Sequence, residues 1–129
     1  MTMTDTNITA PSAEGQAKPT PAPVVAWSYT LRTEGGGWLA QVVLTSDGMF
    51  SAVSDWGNFS YAWRAFGQKE GRDFRDFILA LGVDYFGQKM VNGMAYVANS
   101  RKIEAACHKF TEKVLPVLKE ALKAEGRSA

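Results

Sequence analysis

The chain has 129 residues and a formal net charge of +1 at pH 7, and 46% of its residues are hydrophobic. This length is typical of one domain, and the near-neutral balance excludes a strongly basic nucleic-acid binder. Cys107 is the only cysteine, which excludes an intramolecular disulfide and favours a reducing compartment. No run approaches the ~18 apolar residues of a membrane span, so we expect an intracellular protein.

The first part of the chain lacks apolar periodicity. Four of the five prolines lie before Val24, in a stretch rich in Thr, Ala, Ser and Gly. Such a stretch buries too little surface to offset the entropy of ordering it. Residues 1–23 are therefore predicted to be a disordered tail, and residues 24–126 a single α+β domain.

Period-two patterns after Val24 predict β-strands. The first strand has Val25, Trp27, Tyr29 and Leu31 on one face, and the second has Trp38, Ala40, Val42 and Leu44 on one face. Asp47-Gly48 predicts a hairpin turn into a third strand from Met49 to Ser54. Gly57-Asn58 predicts a second two-residue turn, of type II′, into a strand that carries Phe59, Tyr61, Trp63 and Ala65 on one face. The result is a four-stranded antiparallel meander.

Beyond Gly67 the period changes to that of a helix. Phe74, Phe77, Ile78 and Leu81 form one apolar stripe, with Gly82 predicted as the C-cap and a further helical turn or two after it. A last helix is predicted from Asn99 or Ser100, with a stripe formed by Ile103, Cys107, Phe110, Val114, Val117 and Leu118. Pro116 predicts a kink or a restart. We expect two to three C-terminal helices packed on one face of the sheet.

Two groups of residues could be catalytic or could bind a metal, but a structural role explains each of them better. Cys107 and His108 point about 100° apart on a helix, so they do not form a nucleophile and base pair, and Cys107 is predicted to be buried. Acidic residues near the helix starts are explained by the helix dipole rather than by a cation: Glu70, Asp73, Asp76 and Asp84. We expect neither an enzyme nor a cofactor or metal.

Two surfaces are candidates for binding. The hairpin residues Asp55, Trp56 and Asn58, with Arg64, could contact a protein partner, although Asp and Asn also stabilise turns and Trp56 could fold back on the sheet. The basic C-terminal helix carries Lys109, Lys113, Lys119 and Lys123, which could contact nucleic acid, although glutamates are mixed among them. Phe59, Tyr61 and Trp63 are expected in the core rather than stacked on bases.

Several motifs occur in an order that resembles a known group of sequences. They are Gly37-Trp38, Ser54-Asp55-Trp56-Gly57-Asn58-Phe59 with Tyr61 and Trp63, Asp73-Phe74-Arg75-Asp76-Phe77, Asp84-Tyr85, and a C-terminal helix. This combination resembles a family of small uncharacterised bacteriophage and prophage proteins with a Ser-Asp-aromatic-Gly-Asn-aromatic motif. The resemblance covers residues 36–120 and implies a gene product made in the cytoplasm of a bacterial host.

From the resemblance and the lack of a catalytic motif we expect an accessory protein that binds and modulates or inhibits a host protein or complex. An anti-defence factor, comparable to an anti-CRISPR protein, is one form of this role. The alternatives are a nucleic-acid-binding protein that uses the basic C-terminal helix and a virion assembly protein. Because both faces of the sheet carry some apolar residues, we make no prediction of which face is covered.

Overall fold

The computed structural model describes residues 23–67, 70–94 and 101–128. These residues form one antiparallel sheet of four strands followed by three helices. The predicted α+β class, with a meander followed by C-terminal helices, is confirmed. The predicted disordered tail lies outside the described residues apart from residue 23, and the single-domain boundary stays a prediction.

The strands follow one another across the sheet, as the alternating pattern predicts. They are β1 (Ala26–Arg32), β2 (Trp38–Thr45), β3 (Met49–Ser54) and β4 (Gly57–Ala62), in the order β1-β2-β3-β4. Because every connection is a hairpin, the register of each pair fixes which side chains share a face. The pairing places two rows on the side of the helices: Trp27, Leu44, Phe50 and Tyr61 in one row, and Tyr29, Val42, Ala52 and Phe59 in the next. We call this side the inner face.

The prediction for Trp38 is wrong. Leu31 pairs with Ala40 and Arg32 pairs with Trp38, so Leu39 is an extra residue on β2. This irregularity reverses the alternation, buries Leu39 and leaves Trp38 39% exposed on the opposite face. The period-two pattern of β2 therefore holds only from Ala40 onward.

The β3–β4 hairpin turns two residues earlier than predicted. Ser54 pairs with Gly57 and Val53 pairs with Asn58, so the loop is Asp55-Trp56 and Asn58 lies within β4. The Ser54 hydroxyl donates to the Gly57 carbonyl at 2.8 Å and accepts from the Trp56 N–H at 3.2 Å. Ser54 therefore fixes this turn with its own side chain.

The β2–β3 hairpin depends on Gly48. Its φ is 101°, and a Cβ at this position would lie 2.1 Å from the carbonyl oxygen of Trp63. The N–H of Trp63 in turn donates to the Gly48 carbonyl at 2.8 Å. Only glycine combines this backbone conformation with so close an approach of two chain segments.

The three helices are α1 (Phe74–Leu79), α2 (Val83–Gly93) and α3 (Arg101–Ala124). α1 begins with a capping box, in which the Asp73 carboxylate accepts from the N–H of Arg75 and Asp76 accepts from the N–H of Asp73. Gly82 is the N-cap of α2 rather than the C-cap of α1, which is Ala80. The predicted further turn or two is thus a separate helix of 11 residues.

α3 has seven buried residues, more than α1 or α2. Its fully buried side chains include Cys107, Phe110 and Val114 of the predicted stripe. Pro116 lies inside this helix on an exposed position, and α3 continues as one helix through it. The predicted restart does not occur, and the predicted start of the helix at Asn99 or Ser100 lies outside the described residues.

Aromatic rings join the inner face to the helices. Phe50 meets Phe86 of α2 edge to face at 5.0 Å between ring centroids, and Phe59 stacks on Phe110 of α3 at 4.4 Å. Trp63 is buried after β4, and its indole N–H donates to the Tyr85 hydroxyl at 3.1 Å. The expectation that Phe59, Tyr61 and Trp63 face the core is confirmed.

Candidate functional site

The opposite side of the sheet, which we call the outer face, carries no charge in its two central rows. The register aligns Ser28, Val43, Ser51 and Ser60 in one row, and Thr30, Gln41, Val53 and Asn58 in the other. All eight are exposed or half-buried. The described helices therefore leave this face open.

Large apolar side chains flank and interrupt these rows. Trp38, Met49 and Val53 are 39%, 45% and 51% exposed. Arg32, which pairs with Trp38, is the charged side chain at the margin of this face. The face therefore combines small polar groups, which need hydrogen-bond partners when they are covered, with a few exposed apolar side chains.

Two predicted partner-binding residues lie at one end of the outer face, in the β3–β4 loop. Asp55 is exposed, whereas Trp56 is half-buried and packs against the hydrophobic core. The alternative in which Trp56 folds back onto the sheet is therefore the one that the structure shows. Asp55 remains available at the rim.

The other two predicted residues lie far apart. Asn58 is exposed in the second central row, directly opposite Val53. Arg64 is exposed beyond the opposite end of β4. Six residues of extended chain span about 20 Å, so the structure does not bring Arg64 to the hairpin.

The lysines of α3 mostly have local partners. Lys109 contacts Glu112 at 3.9 Å and Lys123 contacts Glu120 at 3.8 Å. The ammonium group of Lys119 donates to the carbonyl oxygen of Leu81, beyond the end of α1. Lys113 is exposed, and glutamates are mixed among the lysines of α3, as on an ordinary solvated helix face.

A charged cluster joins β1, α1 and the residues after α3. Gly126, at φ 87°, ends α3 with N–H bonds from Gly126 to Lys123 and from Arg127 to Leu122, which turns Arg127 toward α1. The Arg127 guanidinium then lies 3.0 Å from Asp76 and 3.3 Å from Asp73.

Arg75 is the second cation of this cluster. Its guanidinium lies 2.7 Å from the Asp73 carboxylate and 4.0 Å from the centre of the Trp27 ring. The Tyr29 hydroxyl donates to Glu125 at 2.9 Å. Salt bridges, a cation–π contact and a hydrogen bond thus hold three chain segments together.

The cluster shifts the pKa of two members in opposite directions. Burial alone would raise the pKa of Asp73, but hydrogen bonds from the side chain and backbone of Arg75, with the charge of Arg127, hold it below its ordinary value. Burial and then the hydrogen bond to Glu125 raise the pKa of Tyr29 to about 12. Asp73 is therefore ionised and Tyr29 neutral at pH 7.

Cys107 is fully buried, and burial, followed by the charge of Glu104, raises the pKa of its thiol. It is a packed thiol rather than a reactive one. Across residues 23–67, 70–94 and 101–128, no group of three or more His, Cys, Asp or Glu side chains is arranged to hold a metal ion.

A comparison with known protein families identifies the family of this chain. The profile of a family described as a phage family matches residues 25–113. The chain belongs to this phage family. The match spans the whole sheet, α1, α2 and half of α3 of this phage protein. It does not confirm that the Ser54–Phe59 motif characterises the family. No curated protein and no solved structure matches the chain.

The helices of the phage protein were also compared with the length and hydropathy of a membrane span. Within the described part of the chain, none is long and apolar enough to cross a bilayer.

Sequence reasoning named only Asn58 among the eight central residues of the outer face. A signal for the others was present, because the alternate positions that carry Trp27, Tyr29, Phe50 and Phe59 are large and aromatic, whereas the positions between them are small and uncharged. Such an asymmetry indicates which face helices will cover.

Proposed function

We propose that this phage protein acts by binding a host protein through the outer face of its sheet, and that it modulates or inhibits that protein rather than catalysing a reaction. An anti-defence factor is one form of this role. The observation that carries the proposal is the open outer face, with eight uncharged residues in its central rows and exposed Trp38, Met49 and Val53 around them.

Two features of this face fit an interface: its central rows lack charge, and Trp38 and Met49 are exposed beside them. The serines of the central rows do not add to this fit, because interfaces use serine less than the rest of the surface does. Charged side chains are depleted at the centres of protein interfaces, and Trp and Met are enriched there. Although 21% of the residues in the chain are charged, none lies in the two central rows. Packing among the described residues does not explain this lack of charge, because the large buried side chains of the central strands lie on the inner face. We therefore expect the matching partner surface to be uncharged, partly apolar and able to hydrogen-bond to hydroxyl and amide groups.

The test compares two charge insertions during affinity capture from bacterial lysate. Val53→Glu puts a charge in the second central row, whereas Val83→Glu puts the same charge at a similarly exposed position at the start of α2, 51% against 44% exposed. We expect wild type and Val83→Glu to retain one discrete host protein and Val53→Glu to lose it. Equal capture by both variants would contradict the proposal.

Two additional arms separate the alternative functions. Capture that disappears after nuclease treatment would point to nucleic acid and the lysines of α3 instead. Detection of the protein in purified virions at a fixed copy number would point to assembly. We expect capture to survive nuclease and purified particles to lack the protein.

A further inference from the structure

The two edges of the sheet differ in how they are covered. At the β4 edge, the end of α2 lies against the strand, because a Cβ on Gly93 would lie 2.2 Å from the carbonyl oxygen of Ser60. At the other edge, β1 pairs only with β2. Within the described part of the chain, no strand or helix end lies against the β1 edge in this way, and its alternate residues are exposed: Ala26, Ser28, Thr30 and Arg32.

Two hydrogen bonds fix which backbone groups face the open edge. The Ser46 N–H donates to the Val25 carbonyl at 2.8 Å, and the Thr33 N–H donates to the Gly37 carbonyl at 2.7 Å. Val25 and Thr33, at the two ends of β1, therefore direct their backbone groups toward β2. Successive residues of a strand direct their N–H and C=O groups to opposite sides. The residues whose groups point away from β2 are therefore Ala26, Ser28, Thr30 and Arg32.

β1 lacks the features that usually prevent pairing at a sheet edge. It contains no proline and no lysine, Arg32 is its only charged residue, and its ladder with β2 is regular as far as Leu31. Natural edge strands commonly carry lysine, proline or a bulge along their length. Trp27 and Tyr29 of the inner face are only half-buried, and Val25 before them is 52% exposed. Another strand at this edge would therefore gain both backbone hydrogen bonds and apolar contacts.

We propose that β1 of a second copy of this chain occupies the edge, antiparallel to the first, with a two-fold axis at Tyr29. This register places Ser28 of each copy opposite Thr30 of the other, and Ala26 opposite Arg32. All four outward residues of both strands then pair, which gives about eight backbone hydrogen bonds. A shift by two residues in either direction leaves Ala26 or Arg32 of each strand unpaired.

The charges of β1 agree with this self-pairing. Because each Arg32 lies opposite an alanine, the two guanidinium groups are at opposite ends of the strand pair and do not repel each other. The product is a sheet of eight strands, four from each copy, whose outer face is continuous across the axis. The dimer does not depend on the host-binding role of the outer face.

Sedimentation equilibrium of the full chain measures the association. At about 100 µM we expect twice the 14.1 kDa mass of one chain, with a Kd of about 10 µM, because one strand pair is at the small end of specific interfaces. Val53→Glu, which lies on β3, should leave the dimer intact, so self-association is tested separately from host binding. A chain that stays monomeric at this concentration would overturn the proposal.

Two variants of one residue locate the interface. Ser28→Pro removes an N–H that faces the open edge and leaves the ladder with β2 intact. It should be monomeric under the same conditions, whereas Ser28→Ala, which keeps the N–H, should dimerise like the wild type. A folded Ser28→Pro variant that still dimerises would refute the β1 interface.

Single cysteines test the register, and they do so even if Ser28→Pro fails to fold. In the proposed pairing Tyr29 lies opposite Tyr29 of the second copy, with Cα atoms about 4.5 Å apart, which is within the range of a disulfide. The two copies of Ala26 lie at opposite ends of the strand pair. Under mild oxidation, folded Tyr29→Cys should therefore cross-link as a dimer and Ala26→Cys should not, while Cys107 is buried in both. Equal cross-linking of the two variants, or none in either, would overturn the proposal.

Discussion

The two faces of one sheet use the same strands for different purposes. The inner face carries Phe50, Phe59, Val42 and Leu44, all at most 2% exposed and in contact with helices. The outer face, made from the intervening residues, carries small uncharged side chains and no covering element among the described residues. Alternation along a strand therefore separates the residues that stabilise the fold from those available to a partner.

The largest expected effect is at the centre of the inner face. Phe50→Ala removes a fully buried ring that meets Phe86 and Phe110, with centroid distances of 5.0 and 6.2 Å. Loss of its burial and the resulting cavity should lower the free energy of unfolding by about 3–5 kcal/mol in urea denaturation. Ser51→Ala, the neighbouring outer-face residue, is the control and should change it by less than about 0.5 kcal/mol. Equal losses of stability in the two variants would contradict the claim that the inner face, rather than the outer face, stabilises the fold.

A second prediction concerns the hairpin that sets the register of both faces. Gly48→Ala forces positive φ on a side chain and places its Cβ 2.1 Å from the Trp63 carbonyl oxygen. Strain and clash together should destabilise the protein by about 2–4 kcal/mol in the same assay.

Gly71 is the matched control for this change. It also has positive φ, 77°, but a Cβ there would meet nothing within 4 Å. Gly71→Ala should therefore show the conformational strain alone, about 1 kcal/mol. A Gly48→Ala variant no less stable than Gly71→Ala would show that the close approach to Trp63 is unimportant.

A third prediction uses pH to test the charged cluster at the edge of the inner face. The pKa of Asp73 is lower in the folded than in the unfolded chain, so the unfolded chain binds more protons as pH falls, and stability is lost. Asp73→Asn keeps a capping side chain without the charge. The wild type should be more stable by about 1 kcal/mol at pH 7.

This advantage should be present above the unfolded pKa of an aspartate, about 3.9, and should disappear as pH falls through the lower folded value. Urea denaturation of both proteins between pH 7 and pH 2 measures it. A difference that is independent of pH would show that Asp73 acts through hydrogen bonding alone.

The smallest expected effect on stability is on the outer face. Val53→Glu replaces a side chain that is 51% exposed, so the free energy of unfolding should fall by less than about 1 kcal/mol, mainly from lower strand propensity. Thermal denaturation checks this. A loss comparable to that of Phe50→Ala would mean that Val53 contributes to the fold, and its use as a binding probe would fail.

The sequence predicted the meander and the inner face because local alternation carries that information. Phe59, Tyr61 and Trp63 face the core as their spacing indicates. Trp38 was misplaced because the extra residue Leu39 is defined only by pairing with β1, which is a non-local contact. Local patterns do not record such a contact.

The same limit explains the displaced turn and the incomplete site. Both Asp55-Trp56 and Gly57-Asn58 have turn-forming residues, and the match of Ala52 with Phe59 across the strands selects the first. The prediction included Asn58 of the outer face but placed it in one site with Arg64. The two residues are only six apart in the sequence, but an extended strand separates them in space.

The most direct test of the central claim, that the outer face binds the partner while the inner face holds the fold, is calorimetric titration of the purified host partner into the Val53→Glu and Val83→Glu variants. We predict at least tenfold weaker binding by Val53→Glu and wild-type affinity for Val83→Glu. Wild-type affinity in folded Val53→Glu would contradict the claim and would place the interface elsewhere on the molecule.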